Sequence, residues 1–512
     1  MKSHSFKIGG IFVLIIMLIL SLGACDLDEV VDEIDDVDDG EIIEGLIVGT
    51  VAGIESLDPH EANDEHSFLV QNQIYDTLII MNEDMEIEEG LAVDWEKNGT
   101  KWNFELREGV EFHNGELFTA QDVKYTLDRM LDVGDPAEAA FILNMVEEIN
   151  VKGDYELEII TEDPFSPLLR HLAHPVASIL NEEAIVNDEV VGTGAYQAEF
   201  DKFEDLERDE IILQKNENYW NDNAEKPALI FRTISDDSVR ANKLSQGEID
   251  IALSLPADET NLTGVDIIEY QTLSTQYVGF NLQKQPFENQ KVRKVLNYGV
   301  DVEDIVADVY GDSGEAAEGP LSEEVFASHP NLEDYGYDQR EAERLLEEAG
   351  YEDGFSTTIW TNDNPIRIEI AEKIKENLEQ IDIEVEIKIL DWADYLEKTA
   401  EGEHEIFILG WVAVTGDADY GLYGLFHSDE QGHYGNNRTF YNNEKVDNLL
   451  EEGRKTANDS ERRSAYHEAQ ELIIEDAPKI FIVHTLDMHG IQSNLANFTP
   501  HPSGHHDFSS VR

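Results

Sequence analysis

Short β-branched apolar runs alternate with amphipathic helical segments along this chain, and this alternation constrains its fold more than any other feature. Residues 45–51 (GLIVGTV) read as a first buried strand. Residues 337–351 read as an amphipathic helix that Gly350 stops at its C′ position, and residues 366–390 as a helix followed by an alternating strand. Residues 405–414 (EIFILGWVAV) predict a central strand. The mixture predicts an α/β protein with at least two lobes, and ligands of such proteins bind at strand ends and between domains.

Further local signals refine this pattern. Thr119 is a plausible helix N-cap, because Asp122 follows in the first turn and complements the helix dipole. Two late helices are predicted at residues 443–456 and 460–475, each with an apolar face. Residues 479–492 predict a strand pair.

The charge balance excludes two classes of ligand. The 512 residues include 111 acidic and 35 basic side chains, a formal net charge of −76. Such a field repels nucleic acids and anionic lipid surfaces. Because 41% of the residues are hydrophobic, the acids are expected to cover a folded core. An excess this large is typical of a salt-rich habitat, where ions screen the repulsion; an ordinary acidic secreted protein is the alternative.

The N-terminus has the pattern of an export signal. Lys2 and Lys7 precede an apolar stretch at residues 11–20, and small residues follow in the sequence LGAC. The apolar stretch is short for a membrane span. This pattern resembles a bacterial lipoprotein signal, with residues 1–24 as the signal peptide and Cys25 as the lipidated first residue of the mature protein. A standard signal peptide, or an uncleaved anchor helix with an incidental cysteine, is the alternative.

The segment after the signal is strongly acidic. Residues 25–44 carry dense like charge without a sustained apolar face, which predicts a disordered tether. Asp26 resembles a retention signal for the inner membrane of Gram-negative bacteria. The expected location is therefore the outer face of the cytoplasmic membrane. Because Cys25 is the single cysteine, an intrachain disulfide is excluded.

The stretch ILGWVAVTGDADYG, residues 408–421, raises a question about its two aspartates. Asp417 and Asp419 could begin a calcium loop, but Gly and apolar residues stand where such a loop needs an acid. As a catalytic carboxylate pair they lack independent support, since acids are abundant throughout this chain. One alternative is a turn in which they cap backbone amides. The other is an amine-binding cup, because the aromatic ring of Trp411 lies just before them.

Catalysis and metal binding have little support elsewhere. No Gly-x-Ser-x-Gly or His-Glu-x-x-His motif exists, and the cysteine is at the anchor. His171 and His174 read as a turn of helix. The tail histidines His501, His505 and His506 read as a solvent-exposed cluster, with weak metal binding as the alternative. We therefore predict a protein without catalytic residues, bound metal or cofactor.

Several segments, in a fixed order over several hundred residues, resemble those of one family. These segments are SLDPH, IYDTLI, LAVDWEKNGTKWNFELREGVEFHNGELFTAQDVKYTLDRM, VGTGAY, NENYW, LSQGEIDIA, FNLQKQPFENQKVRKVLNYGVD and YGYDQREAERLLEEAGYEDGF. They look like the extracellular solute-binding proteins of family 5, the peptide, nickel and glutathione receptors of ABC importers.

This resemblance implies a periplasmic-binding-protein type II fold, in which two lobes joined by a hinge are accompanied by an extra α/β subdomain. The implied ranges are 45–80, 190–280 and 485–512 for lobe I, 81–189 for the extra subdomain and 281–484 for lobe II. A monomer would bind ligand between the lobes, close, and dock on membrane permease subunits without a chemical step.

The resemblance also implies ligand-binding residues. Peptide binders of the family often place an Asp three residues after the Trp of the Gly-Trp strand, where this chain has Val414, which argues against simple dipeptides. The sequences GWVAVTGDADYGLYGLFHS and NDNPIRIEIAEKI instead resemble the glutathione-binding branch. The expected ligand-binding residues are Trp411 and Gly410 beneath the ligand, Asp417 or Asp419 on its ammonium, Arg367 on a carboxylate, Trp360 facing the cleft, and Ser56 and His60 in the loop of the other lobe.

Alternatives remain for residues and for function. Arg367 could instead make a surface pair with Glu369 or Glu372, and Tyr75 and Trp102 are expected in the core. The favoured function is a lipid-anchored substrate-binding protein that delivers a small, glutathione-like peptide to an ABC importer. A nickel-chelate receptor of the same family, a secreted peptidase and a chemosensory receptor are the alternatives.

Overall fold

The computed structural model describes residues 44–512, apart from 63, 133–139, 200–202, 204–209, 222–223, 257–258 and 432–434. Residues Gly45–Arg512 form one compact unit. The predicted signal peptide, Cys25 and all of the predicted tether except Glu44 lie outside the described residues. Within the described part, no helix is long and apolar enough to cross a membrane.

The strands of the described chain fall into three sheets. They are β1 (Leu46–Thr50), β2 (Ile79–Met81), β3 (Ile87–Glu89), β4 (Ala92–Asn98), β5 (Lys101–Leu106), β6 (Val146–Gly153), β7 (Glu156–Thr161), β8 (Tyr196–Ala198), β9 (Glu210–Lys215), β10 (Ala228–Thr233), β11 (Ile251–Ala252), β12 (Val265–Phe280), β13 (Gly314–Ala316), β14 (Phe355–Asn362), β15 (Ile383–Leu390), β16 (Ile406–Val412) and β17 (Lys479–Gln492). The main sheet has the order β15-β14-β16-β12-β17-β11-β1-β10-β9-β8, with β13 on β17.

The helices lie between these strands. They are α1 (Glu65–Ile74), α2 (Ala120–Met130), α3 (Leu168–His171), α4 (Glu182–Val186), α5 (Asp237–Gln246), α6 (Gln290–Gly299), α7 (Val302–Val309), α8 (Gln339–Glu348), α9 (Pro365–Glu379), α10 (Trp392–Ala400), α11 (Ala418–Phe426), α12 (Glu444–Lys455) and α13 (Asp459–Asp476). The alternation of strand and helix confirms the predicted α/β class.

Two long antiparallel strands, β12 and β17, run through the centre of the main sheet. The C-terminal half of β17 pairs with β11 at Ile491. The C-terminal half of β12 pairs with β16 from Ser274 onward. The register between β12 and β17 shifts between Gln271 and Thr275, which bends both strands where the two halves meet. Residues 479–492 form one unbroken strand that pairs along the sixteen-residue β12, so the predicted strand pair is wrong.

A separate four-stranded sheet, β4-β5-β7-β6, occupies the region predicted as an extra subdomain. Side chains of β5 alternate, so that Trp102 and Phe104 are buried. Thr119 and Asp122 form the capping box of α2, which confirms the predicted N-cap. The exact boundaries of the predicted lobes and subdomain stay a prediction.

Parallel strands build the half of the main sheet that holds the Gly-Trp strand. β14 pairs in parallel with β15 along its length and with β16 at Ile359 and Trp360. The carboxyl ends of parallel strands meet at one edge, so β14 to β16 lead into the starts of α9, α10 and the loop before α11 from the same side. The predicted site residues from Trp360 to Asp419 therefore converge on one edge of the sheet.

Candidate functional site

The Gly-Trp strand approaches its neighbour closely. Gly410 lies opposite Gln276 in the β12–β16 register, and a Cβ at this position would collide with the Gln276 amide. After β16 the chain turns at Gly416, whose φ of 59° is in the left-handed region. This turn brings Asp417 to the N-cap of α11, where its carboxylate accepts a hydrogen bond from the Asp419 N–H at 2.9 Å.

Asp417 is fully buried and paired. The Arg462 Nη2 donates to both of its carboxylate oxygens at 2.9 Å, and the Arg170 Nε lies 3.8 Å from Oδ2. Burial alone would raise the pKa of Asp417, but the charges of Arg462 and Arg170 hold this pKa below its usual value. The carboxylate is therefore ionised inside the protein and joins α11 to α3 and α13.

Asp419 is equally committed. The Arg454 Nε and Nη2 each donate to one of its oxygens at 3.0 Å, a bidentate pair, and the carboxylate is 1% exposed. The Tyr466 hydroxyl lies 3.4 Å from Oδ1. Since both aspartates already have cationic partners, the geometry favours a structural role for them, and their predicted contact with a ligand ammonium stays a prediction.

A cavity of about 470 Å³ opens beside this ion-pair network. Trp411, Tyr420 and Tyr423 line it together with Asp419, Glu430 and Arg454, and with His171 from the region of the four-stranded sheet. The Trp411 ring lies 5.2 Å from that of Tyr420, and the Arg454 guanidinium lies 3.5 Å from the centre of the Tyr423 ring. The result is an aromatic cavity bounded by charged groups.

Two polar groups of residues that line this cavity have no hydrogen-bond or ion-pair partner among the described residues. The buried Trp411 Nε1 has no hydrogen-bond acceptor among the described residues. Glu430 is half-buried, and burial raises the pKa of its carboxyl while the Arg454 charge opposes that rise. An indole donor and a carboxylate beside aromatic rings suit a molecule with a carbonyl and an amine.

Arg367 does not line the cavity, although it reaches Gln276, which lies opposite Gly410 of the Gly-Trp strand. It is in the first turn of α9, and its guanidinium donates to the Asn362 Oδ1 at 3.1 Å and reaches the Gln276 Oε1 at 3.5 Å. The guanidinium also lies 5.6 Å from the Trp392 ring. Throughout the described residues no carboxylate comes within 4 Å of it, so the alternative pair with Glu369 or Glu372 does not form.

The other predicted residues lie elsewhere. Trp360 packs in the core at 6% exposure, and the Lys388 Nζ covers its ring at 3.4 Å, so burial gives no support to its predicted ligand contact. Tyr75 and Trp102 are in the core as expected.

The loop with Ser56 and His60 is tied to α2. Arg129 donates to both oxygens of Asp58 at 2.9 and 2.7 Å, and its Nη1 is 2.7 Å from the His60 Nδ1. The Ser56 Oγ accepts from the Asp58 N–H at 3.0 Å. Burial lowers the pKa of His60 to about 4, which keeps this imidazole neutral. The loop does not line the 470 Å³ cavity, and its contribution to ligand binding stays a prediction.

The predicted exposure of the tail histidines is wrong. His501, His505 and His506 are all buried; the His501 imidazole contacts the Met81 carbonyl oxygen at 3.1 Å. They pack against α1 and β2, so they fill the protein interior. No group of three or more candidate metal ligands occurs within the described residues.

Sequence reasoning missed the arginines that neutralise the two aspartates. Arg454 and Arg462 come 35 and 45 residues later, on α12 and α13. A signal existed: Arg454 follows Leu450 by four residues and Arg462 precedes Tyr466 by four, so each shares a helix face with buried residues. Charged residues on an apolar face require a buried partner.

Comparison with known proteins identifies the class. Residues 86–433 match the family described as bacterial extracellular solute-binding proteins, family 5. A glutathione-binding protein, GsiB, from Pectobacterium atrosepticum is 30% identical over 449 residues, which cover 83% of this chain and 86% of that protein.

Solved structures agree with this match. The periplasmic binding protein DppA from Helicobacter pylori, in complex with the peptide STSA, is 28% identical, with a TM-score of 0.79 over 91% of this chain and 97% of that one. A dipeptide-binding protein from Pseudoalteromonas in complex with Met-Leu is 26% identical, with a TM-score of 0.79 over 92% of this chain and 100% of that one. The two-lobed periplasmic-binding fold is thereby confirmed.

Proposed function

Because the chain belongs to the bacterial extracellular solute-binding proteins of family 5, we propose that it captures a small peptide between its lobes and delivers it to the permease of an ABC importer. Members of this family are transport components and not enzymes. The similarity to a glutathione-binding protein supports a ligand of about tripeptide size.

The observation that carries the proposal is the 470 Å³ cavity lined by Trp411, whose indole N–H has no acceptor among the described residues. Its volume is within the range of about 300–1,000 Å³ for small-molecule sites. The Trp411 ring would pack on the ligand, while Nε1 would donate to a peptide carbonyl. Leaving a buried donor unpaired costs about 1–3 kcal/mol, so a ligand that accepts this hydrogen bond recovers that energy.

Each end of the peptide needs an opposite charge. We assign the ligand ammonium to Glu430, because Asp417 and Asp419 are already neutralised by buried arginines. We assign a ligand carboxylate to Arg367, whose guanidinium has polar neighbours but no acidic partner in the described chain. A guanidinium can bind a carboxylate through two parallel hydrogen bonds.

The last part of the proposal concerns the location of the protein in the cell. We propose that Cys25 carries a lipid and that residues 25–44 act as the acidic tether, which would hold the monomer at the outer face of the cytoplasmic membrane. The charge of −76 supports a salt-rich habitat. Metabolic labelling with a palmitate analogue tests the anchor: label is expected on the full chain and absent from Cys25→Ala.

Isothermal titration calorimetry of the protein in concentrated salt tests the ligand. Glutathione, short peptides with free or acetylated amino termini, and Ni(II)–histidine are titrated separately. Trp411→Ala is expected to weaken peptide binding about tenfold or more, a loss of at least ~1.4 kcal/mol. The neighbouring exposed Val412→Ala is the matched control and should bind normally.

The nickel-chelate receptor and the peptidase each have their own outcome in these experiments. Heat with Ni(II)–histidine alone would support the nickel-chelate receptor, and absence of heat with every peptide would refute peptide capture. Mass spectrometry of the titrated peptides detects cleavage, which would indicate a peptidase.

A further inference from the structure

A second cavity, of about 220 Å³, is lined by an unusual number of cationic side chains for a chain this acidic. Lys97 on β4 and Arg170 on α3 lie on one side, and Arg462 on α13 on the other. The exposed Asp459 stands at its rim and is the acidic residue that lines it. The cavity therefore joins the region of the four-stranded sheet to the helices that hold the ion-pair network.

The cationic side chains that line this cavity outnumber the carboxylates near them. Arg170 and Arg462 share one buried carboxylate, that of Asp417. Lys97 donates to the Ser166 Oγ at 2.8 Å, and among the described residues no carboxylate lies within 4 Å of its Nζ. Three cations thus face one internal carboxylate and Asp459 at the rim, which leaves about one uncompensated positive charge.

Trp102 also lines this cavity and is 4% exposed. Its buried Nε1 has no hydrogen-bond acceptor among the residues that the structure describes. Burial and the nearby Arg462 charge lower the pKa of Lys97 to about 8. An unpaired donor and a destabilised ammonium in one cavity are both features that an anion would relieve.

We propose that this cavity binds a small inorganic anion of the chloride or sulfate class, with Lys97 and Trp102 as donors and Arg170 and Arg462 as the surrounding positive field. The site is distinct from the aromatic cavity beside Trp411, and the proposal does not depend on the peptide ligand. Since the anion contacts both sides of the cavity, its binding favours the arrangement in which the two sides meet. Salt would then stabilise this protein through an occupied site as well as through screening.

Chloride-35 NMR line broadening tests the proposal directly. Excess linewidth is measured on the full chain as chloride is titrated, and sulfate is then added as a competitor. Lys97→Met is expected to reduce the chloride affinity about tenfold, because a charge-assisted hydrogen bond is lost. Trp102→Phe, which keeps an aromatic ring and removes the N–H, is expected to reduce it as well. Circular dichroism confirms that each variant is folded.

Lys101→Met is the matched control. Lys101 lies on the same hairpin, opposite Asn98, and its partner Glu158 keeps a second lysine, Lys152. This variant also loses one lysine charge, but at a position outside the cavity. It should therefore broaden the chloride line as much as wild type does. Three results would overturn the proposal. They are equal broadening by wild type and Lys97→Met, a loss of chloride affinity in Lys101→Met equal to that in Lys97→Met, and the absence of excess broadening in wild type.

Discussion

Asp417→Asn is the substitution that best separates a structural carboxylate from a ligand-binding one. Asparagine keeps the shape of the side chain and an oxygen that can accept from the Asp419 N–H, so the helix cap is retained. The change removes the negative charge that faces Arg462 and Arg170 and replaces one of the two oxygens that accept from Arg462 with an NH2 group. If Asp417 holds the fold together, stability falls and ligand affinity of the folded protein is preserved.

The magnitude follows from burial. Asp417 is fully buried and its two oxygens each accept from Arg462 at 2.9 Å, while Arg462 is itself almost completely buried. Removing one partner of a buried pair costs about 3–5 kcal/mol, because the other charge remains without compensation. Asp417→Asn combined with Arg462→Met leaves only Arg170 facing the neutral side chain and should recover part of that loss.

Urea unfolding followed by tryptophan fluorescence measures this effect at a fixed, high salt concentration. We expect the urea midpoint of Asp417→Asn to fall by about 1 M, because the loss of unfolding free energy is divided by a slope of ~3 kcal/mol per M. Asp429→Asn is the matched control, since its side chain is 82% exposed and a surface change alters stability by about 0.5 kcal/mol or less. A midpoint shift as small as that of the control, with lost peptide binding, would refute the structural role.

The pH dependence gives a second readout of the same carboxylate. Arg462 and Arg170 hold the pKa of Asp417 below its usual value in spite of burial. Its stabilisation is therefore complete above the unfolded pKa of about 3.9 and is lost as the pH falls through the lower folded pKa. The stability difference between wild type and Asp417→Asn should shrink below about pH 4, and a difference that stays constant there would contradict the assignment.

Three further predictions follow from buried groups. Burial lowers the pKa of His60 and of His501 to about 4, so these histidines bind protons at a higher pH in the unfolded chain than in the folded protein. The urea midpoint should therefore fall as the pH is lowered from about 6.5 to 4, and His60→Gln should reduce the accompanying loss of unfolding free energy by up to ~3 kcal/mol. Lys479 is buried without a hydrogen-bond acceptor among the described residues, so Lys479→Met should raise the unfolding free energy by about 1 kcal/mol, and a loss of stability would show that its cation–π contacts outweigh desolvation. A Cβ on Gly194 would lie 2.6 Å from the Gln73 carbonyl oxygen, so Gly194→Ala should lower the melting temperature by several degrees, unlike Gly153→Ala, where the nearest neighbour of the new Cβ would be 3.8 Å away.

Local signals in the sequence predicted much of the fold. The helix ended by Gly350, the helix and strand of residues 366–390 and the central Gly-Trp strand are all present, because periodicity and caps act over a few residues. The resemblance to family 5 supplied the two-lobed arrangement. Neither periodicity nor caps reveals pairing between distant segments, which is why one strand at 479–492 was mistaken for two.

The site was harder to predict for the same reason. Asp417 and Asp419 looked available because their partners, Arg454 and Arg462, lie on helices far along the chain. The buried tail histidines were mistaken for exposed residues since polarity alone suggests a surface. Trp411 was singled out because an aromatic side chain at the end of a central strand is a local feature. It lies in the cavity wall, and its predicted ligand contact stays a prediction.

The place of β17 in the main sheet has a consequence for folding during synthesis. This strand lies between β12 and β11, so it joins the half of the sheet that contains β1 to the half that contains β16. Until residues 479–492 have left the ribosome, both halves present unpaired strand edges, and pairing across such long sequence separations is slow. A nascent chain of this protein must therefore remain incompletely folded until nearly all of it has been made.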